Sequence, residues 1–574
     1  MLVIIGLPLF FLEMVLGQYA GLSATKIYAR ITPGLRGMGY GMICIPTLIN
    51  FQYVVIMAYS MYFFFVGMQA NLPWYDCQND WNRAHCHSID EANDCVALNL
   101  TFFEKKCQTG KYFCEANDMK YNPEHPFMCY NLTNELDFID VTYRSPASEE
   151  HWYFKVLGMD VENGHVNQEV SSWEHWGKIR WEILGCLFLS WTIICGALVK
   201  GVQSYGKVVY FTTLFPYVVL TILLGYVATL EGFGEGMQFY FVPQDWSKIY
   251  DPAVWNDAAG QIFYSLGVAV GSQLLLSSYN GFKTNAHKDA LLIGLFNSGT
   301  SIYAGLVVFG SLGYIAVAKG VSIDKVIQAE AGLAFIVYPE AVSIMAVPQL
   351  FSALFFLMLN LLAISSVCAQ WEALLAAIFD EVPALRKKRL SILALSCFIA
   401  FMCGFAMCFE SGFLLFTLMN NRCSNAILLM AFLELIAVSW FYGANKILVH
   451  VEEMGMEIPN FMKWYWWVTW VIITPIIIAG VTILAWANFP GDFFLDYTFP
   501  GGVTAMGWMM ELLAVAVVFL FSVITVIKRA RAGKPIDFLK SGTLMSPNKH
   551  WGPRPDSGLP TSAAAKVNQA FENL

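Results

Sequence analysis

Long apolar runs separated by short polar connections set the pattern of this chain. Runs of spanning length are Leu2–Tyr19, Met42–Val66, Glu182–Leu198, Val208–Leu230, Ala258–Tyr279 and Ala290–Val317. Pro348–Phe379, Leu390–Phe409, Gly412–Tyr442, Phe461–Trp486 and Thr504–Ile527 follow. Crossing ~30 Å of hydrocarbon takes about 20 helical residues, so the pattern predicts eleven membrane spans. The fifth is unusual. Ala258–Leu266 and Ser272–Tyr279 each read as helix, but Ser265–Gly271 between them has the sequence SLGVAVG, with two glycines around β-branched residues. Neither half crosses alone; together they do. A helix broken at mid-span frees backbone carbonyls and amides, which is tolerated where they line a cavity or coordinate a solute. A span kinked for close packing is the plainer alternative. Gln261, Tyr264 and Ser265, just before the break, weigh toward a binding site.

Orientation follows from Lys and Arg in the connections. Those with Lys26/Arg30/Arg36, Lys200/Lys207, Lys283/Lys288, Arg386–Arg389 and Lys446 are basic, as is the tail from Lys528, and all are expected to be cytoplasmic. The alternate loops lean acidic and should face outside. An odd number of spans with a cytoplasmic C-terminus places Met1 outside, which predicts that a preceding first span is missing from this chain.

Three non-spanning regions stand out. Residues 68–181 form a large extracellular loop holding six of the fourteen cysteines: Cys77, Cys86, Cys95, Cys107, Cys114 and Cys129. An even set in an oxidising compartment suggests disulfides. Zinc on Cys77, His85, Cys86 and His87 is the alternative, and the spacing fits no standard site. Asn99-Leu-Thr101 and Asn131-Leu-Thr133 are glycosylation sequons. Residues 319–347 carry AGLAFIVYPEAV, too short to span, and predict a helical cap on the outer face. Residues 528–574 are polar with scattered Pro, Ser and Gly, and predict a disordered tail. Residues 1–527 then form the transmembrane domain.

Polar residues inside spans narrow the candidate chemistry. Asn297 and Ser301 stand four apart, on one helix face. Ser365 and Ser366 are adjacent at mid-span, and the first span carries Glu13 and Gln18-Tyr19 near its end. Each can be explained by packing or by back-bonding to the i−4 carbonyl. Several neutral oxygen ligands coinciding with a broken helix point instead to a hard cation such as Na⁺.

Composition agrees with this and removes other classes. At 57% hydrophobic and 13% charged over 574 residues, the chain is an all-α polytopic membrane protein. Its net charge of −9 averages two compartments and says little. The nine histidines fall in polar loops or helix ends. No Walker A loop, HExxH pair or GxSxG elbow occurs, so an enzyme reading has no residues to stand on, nor does a nucleic-acid partner.

The residues resemble one family over roughly Leu2–Ile527, the sodium/neurotransmitter symporters. The motifs are GLPLFFLEMVLGQY (Gly6–Tyr19), LPWYDCQNDWNRAHC (Leu72–Cys86), KGVQSYGKVVYFTTLFPY (Lys200–Tyr217) and DAAGQIFYSLG (Asp257–Gly267). SSYNGF (Ser277–Phe282), GLAFIVYPEA (Gly332–Ala341) and AVSWFYG (Ala437–Gly443) add to them. The resemblance implies twelve spans, the first ten forming an inverted-repeat transporter fold with discontinuous first and sixth helices; this chain resembles a member starting at the second. It implies Na⁺ ligands at Ser265 and Asn297 for one site, and at the Leu362 carbonyl, Ser365 and Ser366 for the other. Chloride would lie against Tyr19, Gln261, Ser265, Asn297 and Ser301. Substrate would lie against Tyr53, Tyr264 and the Ser265–Gly271 backbone, Gly267 included. Asp380 matches the cytoplasmic gate acid, without its arginine partner. Cys77 and Cys86 match the bridged extracellular pair. The family context implies a plasma-membrane protein in a lipid bilayer and leaves room for a homo-oligomer.

Departures bear on substrate. Ser365 stands where animal members usually have Asp, Met419 and Asn420 where an extracellular gate acid is usual, and SLGVAVG where SLGPGFG is usual. The expected function is Na⁺- and Cl⁻-coupled symport of a small amino acid or related amine by alternating access. The alternative is a truncated, non-transporting isoform or incomplete gene product acting only as an assembly partner.

Overall fold

A computed structural model describes residues 1–117, 119–121, 128–130, 136–138, 145–162, 164–319, 322–326, 332–343, 345, 347–533 and 544–557. Among them, ten helices are long and apolar enough to cross a membrane, and a broken helix makes the eleventh crossing. We label α1 (Leu7–Ala20), α2 (Gly37–Val66), α3 (Trp181–Leu198), α4 (Val202–Val227) and the broken pair α5 (Pro252–Leu266) and α6 (Ser272–Ser278). Then come α7 (Ala286–Lys319), α8 (Pro348–Glu381), α9 (Arg389–Phe405), α10 (Gly412–Leu435), α11 (Asn460–Ala487) and α12 (Gly501–Arg531). Every apolar run of the sequence is accounted for, with ends moved by a few residues.

The interior divides into two apolar clusters. One gathers α2, α3 and α8 around Phe63, Trp191 and Trp371, and is closed at one end by Trp152 and Phe335. The other gathers α1, the break and α10 around Phe11, Trp466 and Trp470. At Gly17 an added Cβ would lie 2.1 Å from Ser277 Oγ and 2.2 Å from the Leu274 carbonyl oxygen. Glycine there lets α1 lie directly on α6, which fixes the inner half of the broken helix.

The loop between α2 and α3 holds three disulfides: Cys77–Cys86, Cys95–Cys107 and Cys114–Cys129. The zinc alternative on Cys77 and Cys86 is thereby excluded, since both thiols are bonded to each other. Asn99 is exposed at a turn with φ 57; Asn131 lies outside the described residues. Leu333–Val337 and Tyr338–Ser343 form the short helical cap at the disulfide-bearing end, where Phe335 stacks on Trp152 at 4.7 Å.

The tail departs from expectation. Residues 544–557 are packed across the opposite, Lys/Arg-rich end, with Leu544 fully buried and Trp551 6% exposed. Gly34 N–H donates to the Leu544 carbonyl at 2.6 Å, Asn548 N–H to Arg30 O at 2.9 Å, and Arg554 N–H to Tyr19 O at 3.0 Å. A polar composition misled here because a few anchors outweigh the ordering cost of the short segment between them.

Candidate functional site

The break lies between α5 and α6. Three residues in five take left-handed backbone: Gly267 (φ 63), Ala269 (φ 61) and Gly271 (φ 72). Glycine does so freely, whereas alanine carries strain that its surroundings must hold. Ala269 is held through its N–H, which donates to Glu13 Oε1 at 2.5 Å from α1. Gln273 Nε2 returns to the Leu266 carbonyl at 3.0 Å and satisfies one freed acceptor. The interruption is therefore built by specific side chains, beyond what two glycines alone would do.

Two groups of neutral oxygens lie at mid-span. Ser265, on the last turn of α5, and Asn297 of α7 share contacts of 2.7 and 3.1 Å, and Ser301 Oγ donates to the Asn297 carbonyl at 3.2 Å. On α8 the Ser365 and Ser366 hydroxyls both donate to the Leu362 carbonyl, at 2.8 and 3.4 Å. All three α8 candidates thus converge on one oxygen. Tyr205 of α4 donates to the Ser365 carbonyl at 3.0 Å, and the Tyr53 phenol of α2 reaches the Ser366 side chain. Leu362 and Ser365 also line a largely apolar cavity of about 450 Å³ between α4, α7 and α8.

Tyr264 and Gln52 interact through their side chains beside Tyr53. Above them a cleft of about 600 Å³ is lined by Asn256, Asp257, Gln261, Tyr264 and, from α10, Asn420 and Asn425. Gln261 and Tyr264 are thus brought together, and amides occupy the place expected for a gate acid.

Tyr19 is not part of this site. Its hydroxyl donates to Glu453 at 2.9 Å, and its ring stacks on His450 at 3.9 Å. Glu13 is the α1 residue at the level of the break, and Tyr19 comes six residues later. At 1.5 Å rise per residue that is ~9 Å toward the basic end. The part of this first span near Ser265 lies just ahead of α1, in the helical turn Leu2–Gly6, where an added Cβ on Gly6 would meet Ile262 and Leu266 side chains. Glu13 itself, the buried acid that shapes the break, had a usable signal: a lone charge inside a long apolar run.

At the basic end, a cavity of about 510 Å³ is lined by Ser23, Glu372, Asp380, Arg386, Arg389 and Arg554. Asp380 accepts from Ser23 Oγ at 2.5 Å and pairs with Arg386 at 2.6 Å; Glu372 pairs with Arg389 at 2.6 Å. Asp380 therefore has a basic partner from its own neighbourhood.

Residues 1–123 and 114–529 match the model of the sodium:neurotransmitter symporter family. The chain belongs to that family. Family members are transporters, so this symporter-family chain is not an enzyme. Among its relatives, a sodium- and chloride-dependent glycine transporter 2 of Xenopus laevis is 34% identical over 559 residues, covering 96% of this chain and 66% of the relative. A sodium- and chloride-dependent taurine transporter of Bos taurus is 32% identical, covering 99% and 84%. A sodium- and chloride-dependent neutral and basic amino acid transporter B(0+) of Homo sapiens is 35% identical, covering 96% and 82%. This symporter-family chain thus spans just under two thirds of the first relative's length and over four fifths of the others'.

Proposed function

We propose that this chain serves Na⁺- and Cl⁻-coupled symport of a small amino acid or related amine across the plasma membrane by alternating access, with its C-terminus cytoplasmic. The observation that carries the reading is the Ser265–Asn297 pair, two neutral oxygen-bearing side chains joined where a spanning helix stops being helical. Hard cations take hydroxyl, amide and carbonyl oxygens, and a mid-span break supplies them. Ser265 and Asn297 suit one Na⁺; the Leu362 carbonyl with Ser365 and Ser366 suits a second. Gln261, Ser265, Asn297 and Ser301 present N–H and O–H donors without fixed negative charge, which suits chloride beside a cation in a low-dielectric interior. Substrate would lie against Tyr53, Tyr264 and the backbone from Ser265 through Gly267, with Asp380 acting at the cytoplasmic gate.

A hydroxyl at Ser365 in place of an acid, and relatives named for glycine, taurine and neutral and basic amino acids, favour an amino acid or similar zwitterion over a monoamine. The test is uptake of labelled glycine, taurine and neutral amino acids at verified surface expression, with N-methylglucamine replacing Na⁺ or gluconate replacing Cl⁻. Uptake of at least one solute should need both ions. Uptake that persists without Na⁺, or no uptake of any of them, overturns the reading.

A further inference from the structure

Five side chains at the Lys/Arg-rich end, Trp551, Tyr442, His450, Glu453 and Tyr19, form one chain of hydrogen bonds. Trp551, in the strap of residues 544–557, donates its indole N–H to the Tyr442 hydroxyl at 2.8 Å, and that hydroxyl meets His450 Nε2. His450 Nδ1 lies 3.0 Å from Glu453 Oε2, which also accepts from the Tyr19 hydroxyl at 2.9 Å. The Tyr19 ring covers one face of the imidazole at 3.9 Å, and the Trp551 ring stands edge-on to it at 6.2 Å. His450 itself is 3% exposed. Of the other charged groups nearby, Lys446 Nζ lies 5.3 Å from the centre of the Tyr442 ring, Glu452 pairs with Lys463, and the Arg554 guanidinium is bonded to the Ser278 and Asn280 carbonyls.

Counting donors fixes the protonation of this chain. An indole N–H can only donate, so the Tyr442 oxygen accepts from Trp551 and its own O–H is left to donate to His450 Nε2. Nε2 must then carry a lone pair, which places the ring proton on Nδ1, toward the Glu453 carboxylate. Every member is satisfied and the imidazole is neutral. A proton added at Nε2 would turn that acceptor into a donor aimed at an oxygen already accepting the indole N–H. The Tyr442 O–H would be displaced, and among the described residues it has no other partner. A buried donor without an acceptor carries its full desolvation penalty, and the new charge would lie beneath covering rings instead of in water. Lifting Trp551 lets water relieve both. We propose that His450 is a proton-binding site that controls docking of the strap: neutral imidazole holds Trp551 in place through Tyr442, and imidazolium releases it. The undocked state binds the extra proton, so docking weakens as pH falls below the ordinary histidine value of about 6.5. Release would free what the strap holds, the end of α6 through Arg554 Nη1 and the end of α1 through the bond from Arg554 N–H to Tyr19 O. Its bearing on alternating access rests on the transport reading above; the docking equilibrium does not.

Hydrogen exchange of the purified full chain tests this without any transport readout. The amides of Asn548, Trp551 and Arg554 are each bonded in the docked strap. After division by the intrinsic exchange rate, their protection should fall roughly tenfold from about pH 7.5 to about pH 5.5, with that of α2 unchanged. His550, the histidine on the strap itself, is exposed, and His550→Gln should keep the fall. His450→Gln offers Tyr442 an amide oxygen that takes up no proton, and should keep the strap docked while abolishing the fall. Constant protection in the parent overturns the proposal, a result that needs no variant to fold. A fall that vanishes in His550→Gln, or that survives in His450→Gln, overturns it as well. So does a His450→Gln strap left unprotected at every pH while α2 stays protected, since a neutral acceptor at that position would then not hold Trp551.

Discussion

Trp551 donates its indole N–H to the Tyr442 hydroxyl at 2.8 Å, tying the end of the chain to the segment that follows α10. The Trp551 ring also lies 5.8 Å from that of Tyr19, and Arg554 Nη1 donates to the Ser278 carbonyl at the end of α6 at 3.0 Å and to the Asn280 carbonyl just past it at 2.7 Å. A guanidinium on the last carbonyls of a helix is favoured by the helix dipole as well as by the bonds. Removing a buried tryptophan costs on the order of 3–5 kcal/mol where it packs. Trp551→Ala should therefore release residues 544–557 while the bundle stays folded. Hydrogen exchange checks this: protection should collapse in the strap and at residues 276–282, with little change in α2 or α8.

The spans were legible because hydropathy summed over some 20 residues is a strong signal, and the break was legible because glycines and polar residues interrupted it. What sequence reading missed depends on partners far away in the chain. Tyr19 sits in a matching motif, yet its place is set by helix rise, which takes it past the break. The strap is read as disordered because composition averages over the tail, while Leu544, Trp551 and Arg554 act singly. Pairing of Cys95 with Cys107 and of Cys114 with Cys129 needed geometry that spacing does not provide.

Ala269 invites a test of stored strain. Left-handed backbone costs an L-residue roughly 1–2 kcal/mol, and Ala269 is 0% exposed. Ala269→Gly should be neutral or slightly stabilising, since relief of strain is offset by the greater freedom of unfolded glycine. Ala269→Val should lose about 2 kcal/mol or more, as β-branching worsens the same conformation. Thermal unfolding in detergent distinguishes the two; equal loss in both would mean that the backbone at 269 is unstrained.

Arg422 is 1% exposed and pairs with Asp492 at 2.7 Å and Glu511 at 3.1 Å, with the Phe489 and Trp508 rings 4.2 and 4.3 Å from its guanidinium carbon. Removing one partner of a buried ionic group leaves the other charges uncompensated, at a cost of about 3–5 kcal/mol. Arg422→Met alone should fall in that range. Adding Asp492→Asn and Glu511→Gln to it should recover much of the loss, because the stranded charges are gone. A triple variant no more stable than the single one would show that the guanidinium acts through its ring contacts instead.

Glu150 and His151, neighbours in the loop between α2 and α3, should give that loop a flat stability plateau in mildly acidic solution. Burial pushes the Glu150 carboxyl up from 4.5 to about 7, against the Arg83 N–H and Asn82 amide that donate to it. Burial pushes His151 down from 6.5 to about 3, with Lys155 adding repulsion. For Glu150 the folded loop binds the extra proton between pH 4.5 and about 7, so stability falls as pH rises through that window. For His151 the unfolded loop binds the extra proton between about 3 and 6.5, so stability falls as pH drops through that one. Each slope is about 1.4 kcal/mol per pH unit, and where the windows overlap the slopes cancel. Glu150→Gln should remove one of them, leaving stability to fall continuously as the solution is acidified below pH 6.5, the ordinary histidine value. Hydrogen exchange of the His151–Leu157 helix across the acid range reads this directly. A variant that keeps the parent's plateau would mean that Glu150 is ionised in the folded loop and that its burial is compensated by its donors.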